Sequence, residues 1–179
     1  MKEKINAFDY AKEIVSEIPR GVLLTTMVDE KVNSMTIGWG SLGFEWGKPV
    51  FTAYIREGRF TKKQLDANPE FTINVPLNHD DAVKILKYCG SHSGRNSNKV
   101  KEAGLTLETP TTISVPGVKE APLTLECKVI YSQMQDYTLG TSPAIAKFYP
   151  QNVPSEATGA NKDNHLMVMG EILDAYILK

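Results

Sequence analysis

Gly21-Val22-Leu23-Leu24-Thr25-Thr26-Met27-Val28, Asp29-Glu30-Lys31 and Val32-Asn33-Ser34-Met35-Thr36-Ile37 follow one another near the start of the chain, and their reading decides the fold class. Two runs rich in β-branched and apolar residues flank a short polar break, which predicts a hairpin and the first pair of an antiparallel sheet. Val50-Phe51-Thr52-Ala53-Tyr54-Ile55 and Phe71-Thr72-Ile73-Asn74-Val75-Pro76 read as further strands. From Leu123 the chain alternates strictly. Leu123, Leu125, Cys127, Val129 and Tyr131 fall on one face, and Thr124, Glu126 and Lys128 on the other, as in a strand buried on one side only. A closing strand runs from about His165 to Tyr176-Ile177. The result is a mainly β domain with helices, of the α+β class.

The helical signals are shorter. Ile5, Phe8, Ala11, Val15 and Ile18 recur every three or four residues, predicting an amphipathic helix ended by Pro19. A second helix is predicted from Asp80 to Tyr88, with Val83, Ile85, Leu86 and Tyr88 apolar, stopping at Cys89-Gly90. Asn98 is placed to cap a third, through Ala103-Gly104. Residues 132–164 carry Pro143, Pro150, Pro154 and Gly159, with only a weak helical patch around Ala144 to Tyr149. Segments of this length without clear structure serve as lids, interface arms or flexible loops.

The 179 residues are most simply one domain, 1–179, long enough to bury roughly 70% of the unfolded surface. A formal net charge of -1 offers no basic surplus for nucleic acid. Cys89 and Cys127 are too few for a disulfide framework, and Cys127 belongs to an apolar face. There is no apolar leader and no 18-residue apolar run, so neither a signal peptide nor a membrane span is expected, and the cytoplasm is the default compartment. For a metal, the candidates His79, His92, His165, Cys89 and Cys127 contain one close pair, Cys89-x-x-His92, and nothing completes it. No G-x-S-x-G, Walker loop or H-E-x-x-H occurs.

Arg56-Glu57-Gly58-Arg59-Phe60-Thr61-Lys62-Lys63-Gln64 joins a predicted strand to a predicted helix. Thr61 and Gln64 fit a capping box, which makes Thr61 the N-cap. Basic residues are disfavoured in a first helical turn, yet Lys62 and Lys63 stand there, with Arg56 and Arg59 just before. Four cations around unpaired backbone N–H donors suit a phosphate; a solvated basic loop is the plainer alternative. Cys89-Gly90-Ser91-His92-Ser93-Gly94-Arg95 is a second candidate anion loop.

Gly38-Trp39-Gly40-Ser41-Leu42-Gly43 matches G-x-G-x-x-G by letter. The context rejects a dinucleotide fingerprint, because Phe44-Glu45-Trp46-Gly47-Lys48-Pro49 follows where a helix is required. These glycines suit close backbone approach to a flat ligand, with Trp39 and Trp46 as apolar walls. No acid, base or nucleophile stands out, as expected when a cofactor does the chemistry. His92 and His165 are the two candidates for a proton donor, a structural role being the commoner one for each.

Taken in order, Pro19 to Thr26, Asn33 to Trp39, Arg59 to Lys62, Phe71 to Pro76, Cys89 to Arg95 and Glu120 to Cys127 resemble the flavin reductase-like, FMN-binding split-barrel proteins, in particular the flavoredoxin-type branch. The resemblance covers nearly the whole chain from Pro19. It implies a six-stranded antiparallel Greek-key split β-barrel and a homodimer with non-covalent FMN near the subunit interface. It further implies that Ser34, Met35, Thr36, Ile37, Gly38, Trp39 and Gly40 line the flavin, with Thr36 as a hydrogen-bonding partner. Arg56, Arg59, Phe60, Thr61 and Lys62 would hold the phosphate, helped by Cys89, Gly90, Ser91, His92 and Ser93. The implied activity is NAD(P)H-dependent electron transfer through FMN to flavin or another small acceptor. An electron-transfer protein reduced by a partner protein is the alternative.

Overall fold

The computed structural model describes all residues, 1–179. In chain order the elements are β1 (Lys2–Lys4), a 3-10 turn (Ala7–Tyr10), α1 (Ala11–Glu17), a second 3-10 turn (Ile18–Arg20), β2 (Val22–Val28), β3 (Lys31–Ile37), β4 (Gly40–Glu45) and β5 (Lys48–Arg56). Then come α2 (Phe60–Ala67), β6 (Glu70–Val75), α3 (His79–Ser91), α4 (Lys99–Ala103), the short pair β7 (Leu107–Glu108) and β8 (Gly117–Val118), β9 (Leu123–Met134), a 3-10 turn (Tyr137–Leu139), α5 (Ile145–Phe148) and β10 (His165–Leu178).

The β2–β3 hairpin forms as expected. Its turn is the two residues Asp29 and Glu30, both with positive φ, and Lys31 already pairs with Val28. Such a turn matches the right-handed twist of the strands it joins. The main sheet runs β3-β2-β6-β9-β10-β5-β4, with β1 added along β10, and every pair is antiparallel. The ends do not join, so this is the open, split barrel that the resemblance implied, with eight strands in the sheet rather than six. A cluster of 20 buried residues, Phe51, Phe71, Ile73, Leu123 and Leu125 among them, fills its inside. Gly170 interrupts the regular register of β10 against β9; a Cβ there would run into the Phe71 ring and stand 2.9 Å from Cys127 Cβ. The missing side chain is the space that Phe71 occupies.

A second cluster lies outside the sheet, where Ala82, Ile85, Leu86 and Cys89 of α3 pack with Leu23 of β2, Leu105, Val118 and Ala121. These α3 positions are spaced i, i+3, i+4, i+7, one stripe of a helix. Val83, expected inward, is instead 45% exposed. Strand β2 is therefore apolar on both sides because both are covered.

Three expectations need correction. The amphipathic helix over Ile5 to Ile18 is an irregular entry that follows β1, a 3-10 turn and the short helix α1, with Ile18 already in the second 3-10 turn. The Ile5 N–H bonds Ala175 O at 2.9 Å, Phe8 stacks on Phe44, and Val15 is largely exposed. The helix predicted to stop at Cys89 continues to Ser91, since a glycine keeps its backbone N–H and costs a helix only about 1 kcal/mol. Finally, the polar face of β9 is not solvated. Thr124 and Glu126 are fully buried under residues 105–122, and only Lys128 is exposed. That face is polar because it carries a hydrogen-bond network. Asn74 Nδ2 donates to Thr25 and Thr72, while its Oδ1 accepts from the Val118 N–H at 2.9 Å and from the Thr124 hydroxyl. No helix is long and apolar enough to cross a membrane.

Candidate functional site

Three chain turns meet at one end of the sheet: the exit of β3, the β5–α2 turn, and the C-terminal end of α3 with its following loop. Between them lie two cavities of about 470 and 330 Å³, which share Met35, Thr36, Arg56 and Arg59 as common wall. The first is polar. Its charged residues are Arg56, Arg59, Arg95 and Lys99 against Glu156 and Asp163, four cations to two carboxylates. The second is bounded by Ile37, Gly38, Trp39, Tyr54, Phe148 and His165 and is largely aromatic.

Most of the residues expected to bind a ligand stand here. Met35, Thr36, Arg56, Arg59, Phe60, Thr61, Cys89, Gly90, Ser91, His92 and Ser93 line the polar cavity, and Ile37, Gly38 and Trp39 the aromatic one. Three do not. Ser34 is fully buried and bonded to Thr25. Gly40 has entered β4 and lies in a neighbouring apolar groove with Val15, Pro19 and Tyr149. Lys62 is off both cavities, with its Nζ 2.7 Å from Asp66 one turn along α2. Because Lys62 lines neither cavity and acts on it only as a screened surface charge, Lys62→Glu is expected to change affinity for an anionic ligand roughly twofold or less by titration calorimetry.

The N-terminus of α2 is built differently from the capping box. Arg59 is the N-cap, with no side-chain cap, so the first amides of the helix lie uncapped at the cavity wall. Thr61 is inside the helix, buried, and accepts from Asn33 Nδ2 at 2.9 Å. Gln64 is also buried; it accepts from the Thr26 hydroxyl at 2.6 Å and donates to Lys31 O at 2.8 Å, which clips α2 to the first hairpin. The tertiary partners outcompete the local cap.

Arg56 is spent on the chain itself. Its guanidinium donates to Phe148 O at 2.6 Å, Asn161 O at 3.0 Å and Asp163 O at 2.7 Å, and the Gly58 N–H donates to Asp163 Oδ2. This ties residues 148–163 across the site as a strap, and Ser155 to Thr158 form part of the polar cavity's wall. The long segment is thus a cover. Thr36 also has an engagement, its hydroxyl donating to Leu86 O at 2.6 Å.

Sequence reasoning passed over several lining residues. Lys99 is buried, and its Nζ donates to Ser34 O at 2.8 Å and Cys89 O at 2.9 Å, which leaves one N–H for the cavity. Burial pulls its pKa down to about 8, with the Arg59 charge adding to the effect. Burial likewise pushes the Cys89 thiol up to about 11, so it is not a nucleophile at neutral pH. Asn33 is 2% exposed, and its Oδ1 has no partner. Gly94 passes so close that a Cβ there would collide with that atom. Tyr149 places its hydroxyl 2.8 Å from His165 Nδ1, and His165 lies against Trp39 with centroids 4.6 Å apart. Burial, then the charges of Arg56 and Arg59, lower the His165 pKa to about 3, so the ring is neutral at physiological pH and is not the imidazolium donor that a free histidine can be. His92 is exposed and stacked on Tyr88. Nothing in the sequence marks Lys99 as buried, because neighbours far along the chain decide it. No group of three His, Cys, Asp or Glu side chains is placed to hold a metal.

The flavin reductase like domain family model matches residues 15–179. An uncharacterized protein of Archaeoglobus fulgidus is 30% identical over 111 residues, which cover 62% of this chain and 61% of that relative, less than two thirds of its length. Among solved structures, an FMN-binding domain of a flavin reductases-like enzyme from Shewanella baltica superposes with a TM-score of 0.68 at 17% identity, over 99% of this chain and 77% of the other. Flavoredoxin from Methanosarcina acetivorans gives 0.64 at 23%, over 89% and 68%. At these identities the likeness to the solved structures is one of fold.

Proposed function

The chain belongs to the flavin reductase like domain family, and from that premise we propose that it binds FMN non-covalently and passes electrons from NAD(P)H to free flavin or another small acceptor. The observation that carries this reading is the pair of joined cavities, one cationic and one aromatic, in the order a phosphate and a ring would need. The fit is supported by Asn33. A buried amide oxygen without a partner costs about 1–3 kcal/mol, and a hydroxyl-bearing chain running between the two cavities supplies the missing donor.

In this reading Arg59, Lys99, Arg95 and the uncapped start of α2 hold the phosphate, and Met35 to Trp39 line the ring. Arg59 makes no side-chain hydrogen bond within the protein and so is available. When bound, FMN supplies the hydride and electron chemistry; the chain positions it, excludes water with the strap and provides the field. A homodimer belongs to the same proposal. Strand β4 is a sheet edge, and Phe44 and Trp46 at its end are about two-thirds exposed, an apolar face a second copy can cover. Sedimentation showing only the 19.8 kDa species would remove it.

The test is the visible spectrum after incubation with FMN and desalting, followed by anaerobic NADH or NADPH. A retained flavin band that bleaches within the turnover time supports the reductase; a colourless protein overturns the FMN reading. A band that survives both nucleotides favours the second reading, an electron carrier reduced by a partner protein. The strap gives that alternative a specific support, since three carbonyls bound by one guanidinium slow cofactor exchange.

A further inference from the structure

The strap reaches the aromatic cavity through one hydrogen bond, Tyr149 Oη to His165 Nδ1 at 2.8 Å. Strand register puts His165 directly opposite Arg56, so three groups are packed together where β10 begins: the Arg56 guanidinium, the Tyr149 ring 5.1 Å from it, and the imidazole. Tyr149 is itself held by stacking on Tyr137 at 5.1 Å. We propose that Tyr149 is a positioning residue that fixes His165 as the tautomer carrying its proton on Nε2, so that the aromatic cavity is offered one neutral N–H donor.

Donor and acceptor strength decide the tautomer. A neutral imidazole has one N–H and one bare nitrogen, and a phenol has one proton to place. The Tyr149 hydroxyl has no other acceptor in the structure. Either tautomer leaves one donor over; if Nδ1 carried the ring proton, the bond would pair the weaker donor, the ring N–H, with the weaker acceptor, the phenol oxygen. If Nδ1 is bare, it takes the phenolic proton, and the ring N–H moves to Nε2. The charged groups facing the ring keep it in this regime. Arg56 and Arg59 oppose a third positive charge, Asp163 is occupied by the Gly58 N–H, and burial holds Tyr149 as the phenol. His165 lines the aromatic cavity, and Nε2 is the ring nitrogen not used within the protein.

The consequence for a ligand rests on the FMN reading: the ring cavity prefers a planar ligand with an acceptor atom on the edge facing His165. The tautomer assignment does not rest on it. The experiment is long-range ¹H–¹⁵N correlation spectroscopy of the ligand-free protein and of Tyr149→Phe, which keeps the ring and its stacking. In the unsubstituted protein Nε2 is expected as the protonated nitrogen by about ten to one, the bias that the stronger of the two hydrogen bonds supplies. In Tyr149→Phe the ratio should fall to within about threefold of parity. Titration of FMN should show several-fold weaker binding to Tyr149→Phe. A proton found on Nδ1, or a ratio that does not move in the variant, overturns the proposal. A protein that takes no FMN but has the Nε2–H tautomer, lost in Tyr149→Phe, supports the positioning role and fails the FMN reading instead.

Discussion

Lys99→Met is expected to weaken FMN binding by about 2–3 kcal/mol, roughly 30- to 150-fold, while the fold survives. The ammonium is buried, two of its protons are held by Ser34 O and Cys89 O, and the third is available to the ligand. Methionine fills a similar volume, removes a buried charge that is expensive without an anion nearby, and gives up the two carbonyl contacts, so the net cost to stability is small. The pH dependence separates this residue from the arginines. An anion beside Lys99 favours its charged form, so its contribution to binding is full below about pH 8 and is lost as pH rises through that value. The arginines do not titrate there. Calorimetry from pH 6.5 to 9.5 should show affinity falling at the alkaline end in the unsubstituted protein and flat in Lys99→Met. Stability gives a ligand-free control. With the folded pKa about 8 and the ordinary lysine value at 10.5, the unfolded chain holds a proton over that interval that the folded chain has shed. Stability should therefore rise with pH there, and the rise should vanish in the variant. Equal affinity for both proteins would place the phosphate away from Lys99.

Glu126→Ala should destabilise the fold by about 3–5 kcal/mol, the cost of breaking a buried polar set and leaving its donors without partners. The carboxylate is fully buried. It accepts from the Thr111 N–H at 2.6 Å, the Thr112 N–H at 2.6 Å, the Thr112 hydroxyl at 2.7 Å and the Ile113 N–H at 3.3 Å. These bonds hold down residues 105–122, which supply Leu105, Val118 and Ala121 to the packing of α3. The C-terminal end of α3 carries Cys89, Gly90 and Ser91 into the polar cavity, so the loss should appear at the site as well, as weaker FMN binding by the fraction that remains folded. Glu126→Gln keeps the shape but turns an NH₂ toward backbone donors, and an intermediate loss is expected. Urea unfolding of the two variants checks both values. A loss below about 1 kcal/mol for the alanine would mean that apolar contacts alone hold the covering segment.

Much of this molecule is legible one segment at a time. The hairpin of β2 and β3, the alternation of β9, the cap at Asn98 and the existence of α3, though only Ile85 and Leu86 of its expected apolar positions are buried, follow from spacing and turn chemistry, because each reflects interactions within a dozen residues. The two candidate anion loops, Arg56 to Gln64 and Cys89 to Arg95, were also visible, and residues of both line one cavity. Which cation faces the cavity was not visible. Lys62 has the stronger local signal and turns to Asp66, whereas Lys99 has none and is buried at the cavity wall. Arg56 reads as a phosphate ligand and is the buckle of the strap. Thr124 and Glu126 read as a solvent face and are fully covered.

Period and capping state which residues share a face; they are silent on what covers that face. The sequence by itself determined β2, β3, β5, β6, β9 and β10, the antiparallel class and the segments that gather at the site; it did not mark β4, whose glycines read as a loop. Only the tertiary structure decided which charges are buried, which are paired and which remain for a ligand, because desolvation and many of the hydrogen-bond partners come from residues as far as 107 positions away along the chain.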